Sequence, residues 1–101
     1  MQICSEKNGA ALTVRVSGEL DIHTAPELAD YVAANLGDAA ALTLDFKDLR
    51  YISSAGIRSV LKAAKAMKGR GPFSVVEVCP FVAEVFSTAG LDTVLDIHKS
   101  L

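Results

Sequence analysis

The sequence predicts a single α/β domain: a mixed sheet of four to five strands with helices packed on it. Its 101 residues fit one domain, which should bury roughly two-thirds of the surface of the unfolded chain. Half of the residues are hydrophobic and only 6% are aromatic, so an aliphatic core is expected. Segments with a period of two alternate with segments of helical period in the order ββαβαβαβ. One domain over residues 1–101 is therefore predicted.

A β-hairpin is predicted at the start of the chain. Leu12, Val14 and Val16 alternate with polar residues, which is typical of a strand with one covered face. Asn8-Gly9 just before this segment favours a tight turn that leads back to a strand over residues 2–5.

The first helix is predicted to begin after Thr24. Thr24 as N-cap and Glu27 three residues later fit a capping box, and Pro26 is tolerated in the first turn. Gly37 is expected to end the helix. The apolar stripe of this helix consists of Ala25, Leu28, Ala29, Val32 and Leu36.

A strand–helix–strand unit is predicted next. Residues 41–46 and 73–78 form β-rich runs on either side of a helix that ends before Gly69-Arg70-Gly71-Pro72. Such a crossover connects parallel strands. The apolar stripe of the intervening helix is expected to be Ile57, Val60, Leu61, Ala64 and Met67.

The last helix is predicted to begin at Pro80 and to run through Val82, Val85, Phe86 and Ala89. Gly90 suits the C′ position, and Leu91 is available for the contact just past it. Residues 94–97 are expected to form a short final strand.

Two turns are candidate sites because they follow strands at the carboxyl edge of the predicted sheet, where open α/β sheets place their sites. They are residues 18–24 and 48–54. If the turns share one edge, Asp21 lies near Ser54 and would repel a phosphoryl group added there.

Ser53 and Ser54 admit two interpretations. They can serve only as N-capping residues, or one of them can be a phosphorylated switch. The two roles are compatible, because a helix N-terminus tolerates the roughly −1.5 to −2 charge of a phosphoserine.

Catalysis is not expected. The segment around Ser54 lacks the Gly-x-Ser-x-Gly elbow, and only His23 and His98 could act as a histidine base. Neither Gly-rich phosphate-loop pattern occurs, and the scattered histidines and cysteines have no metal-ligand spacing. We therefore predict no enzyme activity, no metal and no cofactor.

Charge and hydropathy limit the partners and the location. The formal net charge is −2, which provides no broad positive field for direct nucleic-acid binding. No signal peptide or apolar stretch long enough for membrane insertion is visible, so a cytoplasmic protein is expected. Cys4 and Cys79 are predicted to be buried strand thiols rather than a disulfide or redox pair.

Three passages resemble the STAS domain family, and within it the bacterial anti-anti-sigma factors, also called anti-sigma factor antagonists. Residues 18–28 resemble the family's GELD-x-x-TA stretch, residues 49–57 its phosphorylation loop, and residues 85–91 its segment near the C-terminus. The likeness extends over essentially the whole chain.

The resemblance implies a phosphorylation-controlled partner switch. The unmodified domain would bind an anti-sigma factor with serine kinase activity and so free a sigma factor. Phosphorylation of Ser54, with Ser53 as the alternative acceptor, would end that binding, and a serine phosphatase would restore it. The residues expected to bind the partner are Asp21, His23, Thr24, Ser53, Ser54, Ala55, Gly56 and Arg58.

The chain differs from the commonest antagonist pattern at two positions. Ser53 stands where Asp is usual, and Ala55 stands where Ser or Thr is usual. These differences leave an alternative function open: a constitutive STAS scaffold, or an accessory subunit of a lipid-transport ATPase or another signalling assembly.

Overall fold

The computed structural model describes residues 1–100, which contain six strands and three helices. In chain order these elements are β1 (Gln2–Asn8), β2 (Ala11–Leu20), α1 (Ala25–Asn35), β3 (Ala41–Asp45), β4 (Leu49–Ile52), α2 (Ser54–Ala66), β5 (Phe73–Val78), α3 (Pro80–Thr88) and β6 (Asp96–Lys99).

The sheet is mixed, as predicted. Strand β1 pairs antiparallel with β2 through the opening hairpin, and the remaining strands pair in parallel in the order β2-β3-β5-β6. Strand β4 lies off this path and pairs in parallel with the far end of β2. The predicted parallel pairing on either side of α2 is confirmed by β3 and β5.

The sheet has six strands, one more than the upper limit of the predicted four to five. Strand β4 lies within the segment that was predicted to be a turn, and its two middle residues, Arg50 and Tyr51, are exposed between buried Leu49 and Ile52. Four residues with this pattern show no alternation, so periodicity could not reveal the strand. Its partner is also longer than predicted, because β2 continues through Gly18 to Leu20.

A bulge at Gly18 allows β2 to continue. The register with β4 shifts between Gly18 and Glu19, and Gly18 has a φ of +94°, which favours glycine. The Gly18 N–H donates to Asp48 O at 3.0 Å. The bulge turns the end of β2 toward β4, and this pairing sets the position of the site described below.

The helices pack on one face of the sheet. Leu12, Val14 and Val16 of β2 are buried in the same cluster as residues from all three helices, whereas the alternate residues Thr13 and Arg15 are not buried. On the other face, Arg15 pairs with Asp45 at 3.3 Å and with Glu6 at 3.4 Å.

The predicted apolar stripe of α2 is partly wrong. Leu61 is 37% exposed, while Ser59 and Ala63 are buried. Gly56 packs closely against Leu20 and Ile52, and the buried face of α2 continues from there through Ser59 and Ala63 rather than through Leu61. The buried Ser59 hydroxyl is satisfied, because its Oγ donates to Gly56 O at 2.7 Å.

The end of α3 is confirmed, and the final strand is displaced. The N–H of Leu91 donates to Phe86 O and the N–H of Gly90 to Ser87 O, both at 2.9 Å, as in a Schellman cap. A further turn links Leu91 to Val94, so the last strand covers residues 96–99 rather than 94–97.

The prediction of buried strand thiols is wrong for both cysteines. Cys4 is exposed because β1 is an edge strand and Cys4 lies on its outward side. Cys79 is half-buried and follows β5 as the N-cap of α3, with its Sγ 3.5 Å from Leu49 O. Both thiols are free.

Among residues 1–100, none of the three helices combines the length and the apolar character that crossing a bilayer requires.

Candidate functional site

The two predicted turns lie side by side. Leu20 at the end of β2 pairs with Ile52 at the end of β4, and the Ser53 N–H donates to Leu20 O at 2.9 Å. Residues 21–24 and 53–56 follow directly from this pair, so both loops leave the sheet at the same edge. The short strand β4, which the sequence did not reveal, produces this arrangement.

Asp21 organises the first loop. Its Oδ1 accepts hydrogen bonds from the N–H groups of His23 at 2.9 Å and Thr24 at 3.0 Å. These hydrogen bonds lower the pKa of the Asp21 carboxyl below its ordinary value; the bond from the Thr24 N–H has the larger effect and the bond from the His23 N–H the next largest. The loop therefore presents an ionised carboxylate at neutral pH.

Thr24 does not form the predicted capping box. Its Oγ1 accepts from the Asp21 N–H at 2.8 Å and donates to Glu19 O at 2.8 Å, so it closes the loop on itself. Thr24 has helical backbone angles, and its side chain makes no capping bond to α1. Glu27 is exposed and does not complete a box. The hydroxyl has a better partner inside the loop than at the helix end.

Ser53 is the N-cap of α2. It has an extended backbone, and its Oγ accepts from the Gly56 N–H at 3.3 Å. Its carbonyl accepts the Ile57 N–H at 2.9 Å, which is the first bond of the helix. The capping interpretation therefore applies to Ser53.

Ser54 is the first residue of α2 and is exposed. Within residues 1–100 its hydroxyl forms no side-chain hydrogen bond, whereas that of Ser53 is engaged. Of the two neighbouring serines, Ser54 has the accessible and unengaged hydroxyl.

Gly56 allows α2 to approach the strand pair closely. A Cβ at this position would lie 2.6 Å from Leu20 O and 2.7 Å from Ile52 Cγ1. No residue with a side chain fits there without movement of the backbone. Gly56 therefore fixes the position of Ser54 relative to the Asp21 loop.

The remaining predicted partner-binding residues lie around these two loops. His23 and Arg58 are exposed, and Ala55 is half-buried. Ala55 and Arg58 line a shallow groove of about 380 Å³ between α1 and α2, together with Ile22 and Lys62. The sequence-predicted residues thus come together at one end of the molecule.

Three exposed apolar residues near the site were missed at the sequence level. Ile22 is 68% exposed in the Asp21 loop. Tyr51 on β4 is 40% exposed, and its ring stacks on Phe81 of α3, itself 51% exposed, with centroids 5.8 Å apart. The exposure of Ile22 could have been predicted, because an isoleucine within a polar turn has no core to pack against. The aromatic pair depends on β4 and could not have been found.

Comparisons with known proteins agree with the fold. The family described as "Mlab, STAS domain" matches residues 4–96. An anti-sigma F factor antagonist of Paenibacillus polymyxa is 30% identical, over 99% of this chain and 88% of that protein.

Solved structures show the same fold. A crystal structure of an anti-sigma factor antagonist from Mycobacterium paratuberculosis superposes with a TM-score of 0.89 at 26% identity, over 99% of this chain and 86% of that one. The Bacillus cell fate determinant SpoIIAA in its phosphorylated form superposes with a TM-score of 0.73 at 20% identity, over 95% of this chain and 90% of that one. The chain belongs to the STAS domain family.

Proposed function

We propose that this chain is an anti-sigma factor antagonist whose binding is controlled by phosphorylation of Ser54. The unmodified form binds an anti-sigma factor that is also a serine kinase, and this binding releases a sigma factor. The observation that carries the proposal is the contrast between two adjacent serines: Ser53 is engaged as a helix cap, while the Ser54 hydroxyl is exposed and unengaged. The antagonist named among its relatives and the phosphorylated protein of the same fold support this role.

The transfer step requires only an accessible hydroxyl on this chain. The Ser54 Oγ attacks the γ-phosphorus of ATP, an O–P bond forms, the bond to the bridging oxygen of ADP breaks, and the hydroxyl proton leaves to a base or to water. A serine phosphatase reverses the state, because attack of water on phosphorus returns the hydroxyl and releases inorganic phosphate. This chain is a substrate in both steps and supplies no catalytic group.

The Asp21 loop makes the modification effective. Asp21 follows Leu20, whose carbonyl binds the Ser53 N–H, so an ionised carboxylate and a new phosphate share one small surface. A phosphoserine adds about −1.5 to −2 charge at pH 7. A partner that fits the unmodified surface then meets a concentrated negative charge, and like-charge contacts weaken binding.

The proposal is tested by incubating the protein with its cognate anti-sigma kinase and ATP, followed by mass spectrometry of the peptides. We expect one phosphate on Ser54 in the wild type and in Ser53→Ala, and none in Ser54→Ala. Ser53→Ala is the matched control because it removes the neighbouring hydroxyl and keeps the acceptor. Absence of phosphate from Ser54, whether or not Ser53 is modified, would overturn the proposal.

A second candidate is a constitutive STAS scaffold or an accessory subunit of a lipid-transport ATPase. The observation that favours it is Ser53, which replaces the aspartate usual in antagonists beside the acceptor. A pull-down that recovers transporter ATPase subunits and no kinase would support this alternative, and recovery of a serine kinase would exclude it as the main role. In neither case do we propose direct contact with nucleic acid or insertion into a membrane.

A further inference from the structure

We propose that a phosphate on Ser54 is held by the guanidinium group of Arg58 on the same helix. The modification then does two things at once: it adds negative charge and it withdraws Arg58 from the partner-binding surface. This inference rests on the proposed phosphorylation of Ser54.

The spacing of the two residues carries the inference. Ser54 and Arg58 lie four residues apart on α2, and both are exposed. Residues at i and i+4 are neighbours on a helix surface, with Cβ atoms about 5–6 Å apart. The order is the favourable one, because the anion would lie N-terminal to the cation. A guanidinium can also donate two parallel hydrogen bonds to phosphate oxygens.

In the described residues Arg58 is not paired with a carboxylate, although Asp30 of α1 lines the same groove. Arg58 belongs to none of the ion pairs within residues 1–100. Its neighbours three and four residues away on α2 are Ser54, Ala55, Leu61 and Lys62, so the helix offers a like charge and no carboxylate. Of these four neighbours, only Ser54 can become an anion, by phosphorylation.

The charge distribution of α2 points the same way. Its last turn carries Lys65, and its first turn contains no acidic residue. Anions are favourable near a helix N-terminus and cations near its C-terminus, so a phosphate on Ser54 supplies the missing half of this pattern. Phosphorylation should therefore stabilise α2 while it blocks the surface.

The test uses protein with phosphoserine placed at residue 54 during translation, so that no kinase is needed. The second pKa of the phosphate, about 6 in a free phosphoserine, is measured by ³¹P NMR titration. We expect this pKa to be lower in the Arg58 protein than in Arg58→Gln by about 0.3 pH units or more, the shift that corresponds to a helical ion pair.

Two variants serve as controls. Lys62→Gln removes the same charge one turn farther from Ser54 and should leave the phosphate pKa unchanged. Arg58→Lys keeps the charge and should retain part of the shift. Thermal unfolding adds an independent readout: phosphorylation should raise the Tm of the wild type by more than that of Arg58→Gln, which keeps only the interaction of the phosphate with the helix N-terminus.

The inference would be overturned if the phosphate pKa were the same in wild type and Arg58→Gln. It would also be overturned if Lys62→Gln changed this pKa as much as Arg58→Gln does. These outcomes differ from a failure of the proposed function. The proposed function fails if the kinase leaves Ser54 unmodified. The titration does not depend on that result, because its phosphoserine is inserted during translation.

Discussion

Two neighbouring hydroxyls at the start of α2 have different surroundings. The Ser53 Oγ accepts the Gly56 N–H and so satisfies one of the helix's free donors, while Ser54 lies one residue farther on and is exposed. Residue type alone predicts that Ser53 and Ser54 are helix caps or phosphoacceptors. It does not assign one role to each residue, because serine suits both positions. The separation depends on backbone angles, which place Ser53 in an extended conformation outside the helix.

This difference predicts unequal effects on stability. Ser53→Ala removes the cap and should lower the free energy of unfolding by about 1 kcal/mol. Ser54→Ala removes an exposed hydroxyl at a position where alanine is a good helix former, so its effect should stay within about 0.5 kcal/mol. Urea denaturation of both variants checks this.

Ser53→Asp provides the control, because aspartate is also a good N-cap and should preserve most of the wild-type stability. Equal losses in Ser53→Ala and Ser54→Ala would contradict the assignment of Ser53 as the cap.

Thr24 shows why a sequence motif alone does not establish a helix cap. Thr24 and Glu27 match a capping box in sequence, but the Thr24 hydroxyl bonds within the Asp21 loop instead. Asp21 is the cause, because its carboxylate already binds the Thr24 N–H and holds the loop closed. Local competition of this kind depends on geometry that spacing does not contain.

At the scale of elements, long periodic segments were predicted well and short or irregular ones were not. The hairpin and the three helices lie where the hydrophobic period predicts them, although the cap of α1 and part of the buried face of α2 differ from the prediction. Strand β4 was missed because four residues carry too little pattern. Strand β5 contains a further irregularity: Glu77 has a φ of +59°, and the register with β6 shifts between Val75 and Val78. Bulges such as this depend on the partner strand.

The contact between α2 and the β2–β4 pair makes a prediction about Gly56. Glycine to alanine in a helix usually raises stability by about 0.5–1 kcal/mol. At Gly56 the added Cβ would meet the Leu20 carbonyl, so Gly56→Ala should instead lower the free energy of unfolding by about 1–3 kcal/mol.

Urea denaturation measures this change, and Lys62→Ala on the exposed side of the same helix is the control, expected within about 0.5 kcal/mol of wild type. A Gly56→Ala protein as stable as wild type, or more stable, would contradict the close packing that fixes the position of Ser54.

At the scale of the whole molecule, the site depends on two chain segments about thirty residues apart in sequence that meet at one sheet edge. The sequence indicates that both segments follow strands at their carboxyl ends, and it predicts their proximity on the condition that the two turns share one edge of the sheet. It could not supply the pairing of Leu20 with Ile52 that sets their register, or the exposed Tyr51–Phe81 stack beside them. Those features exist only once β4 has formed.

The net charge of −2 is small, so local charges decide what binds. One end of the molecule carries ionised Asp21, Arg58 outside any ion pair of the described residues, and the proposed phosphoacceptor Ser54, within two adjacent loops and one helical turn. A phosphate of about −2 on that surface is comparable with the charge of the entire domain. The proposed phosphorylation of Ser54 would therefore change the charge of the binding surface without requiring the domain to unfold.

The most direct test of the central claim is calorimetric titration of the cognate anti-sigma kinase with unmodified protein and with protein carrying phosphoserine at residue 54. Ser54→Ala, which keeps the unmodified charge, should bind as the wild type does. We predict that the phosphoserine form binds at least about 100-fold more weakly, because like charges at an interface cost several kcal/mol. Equal Kd values for the unmodified and phosphorylated proteins would contradict the account.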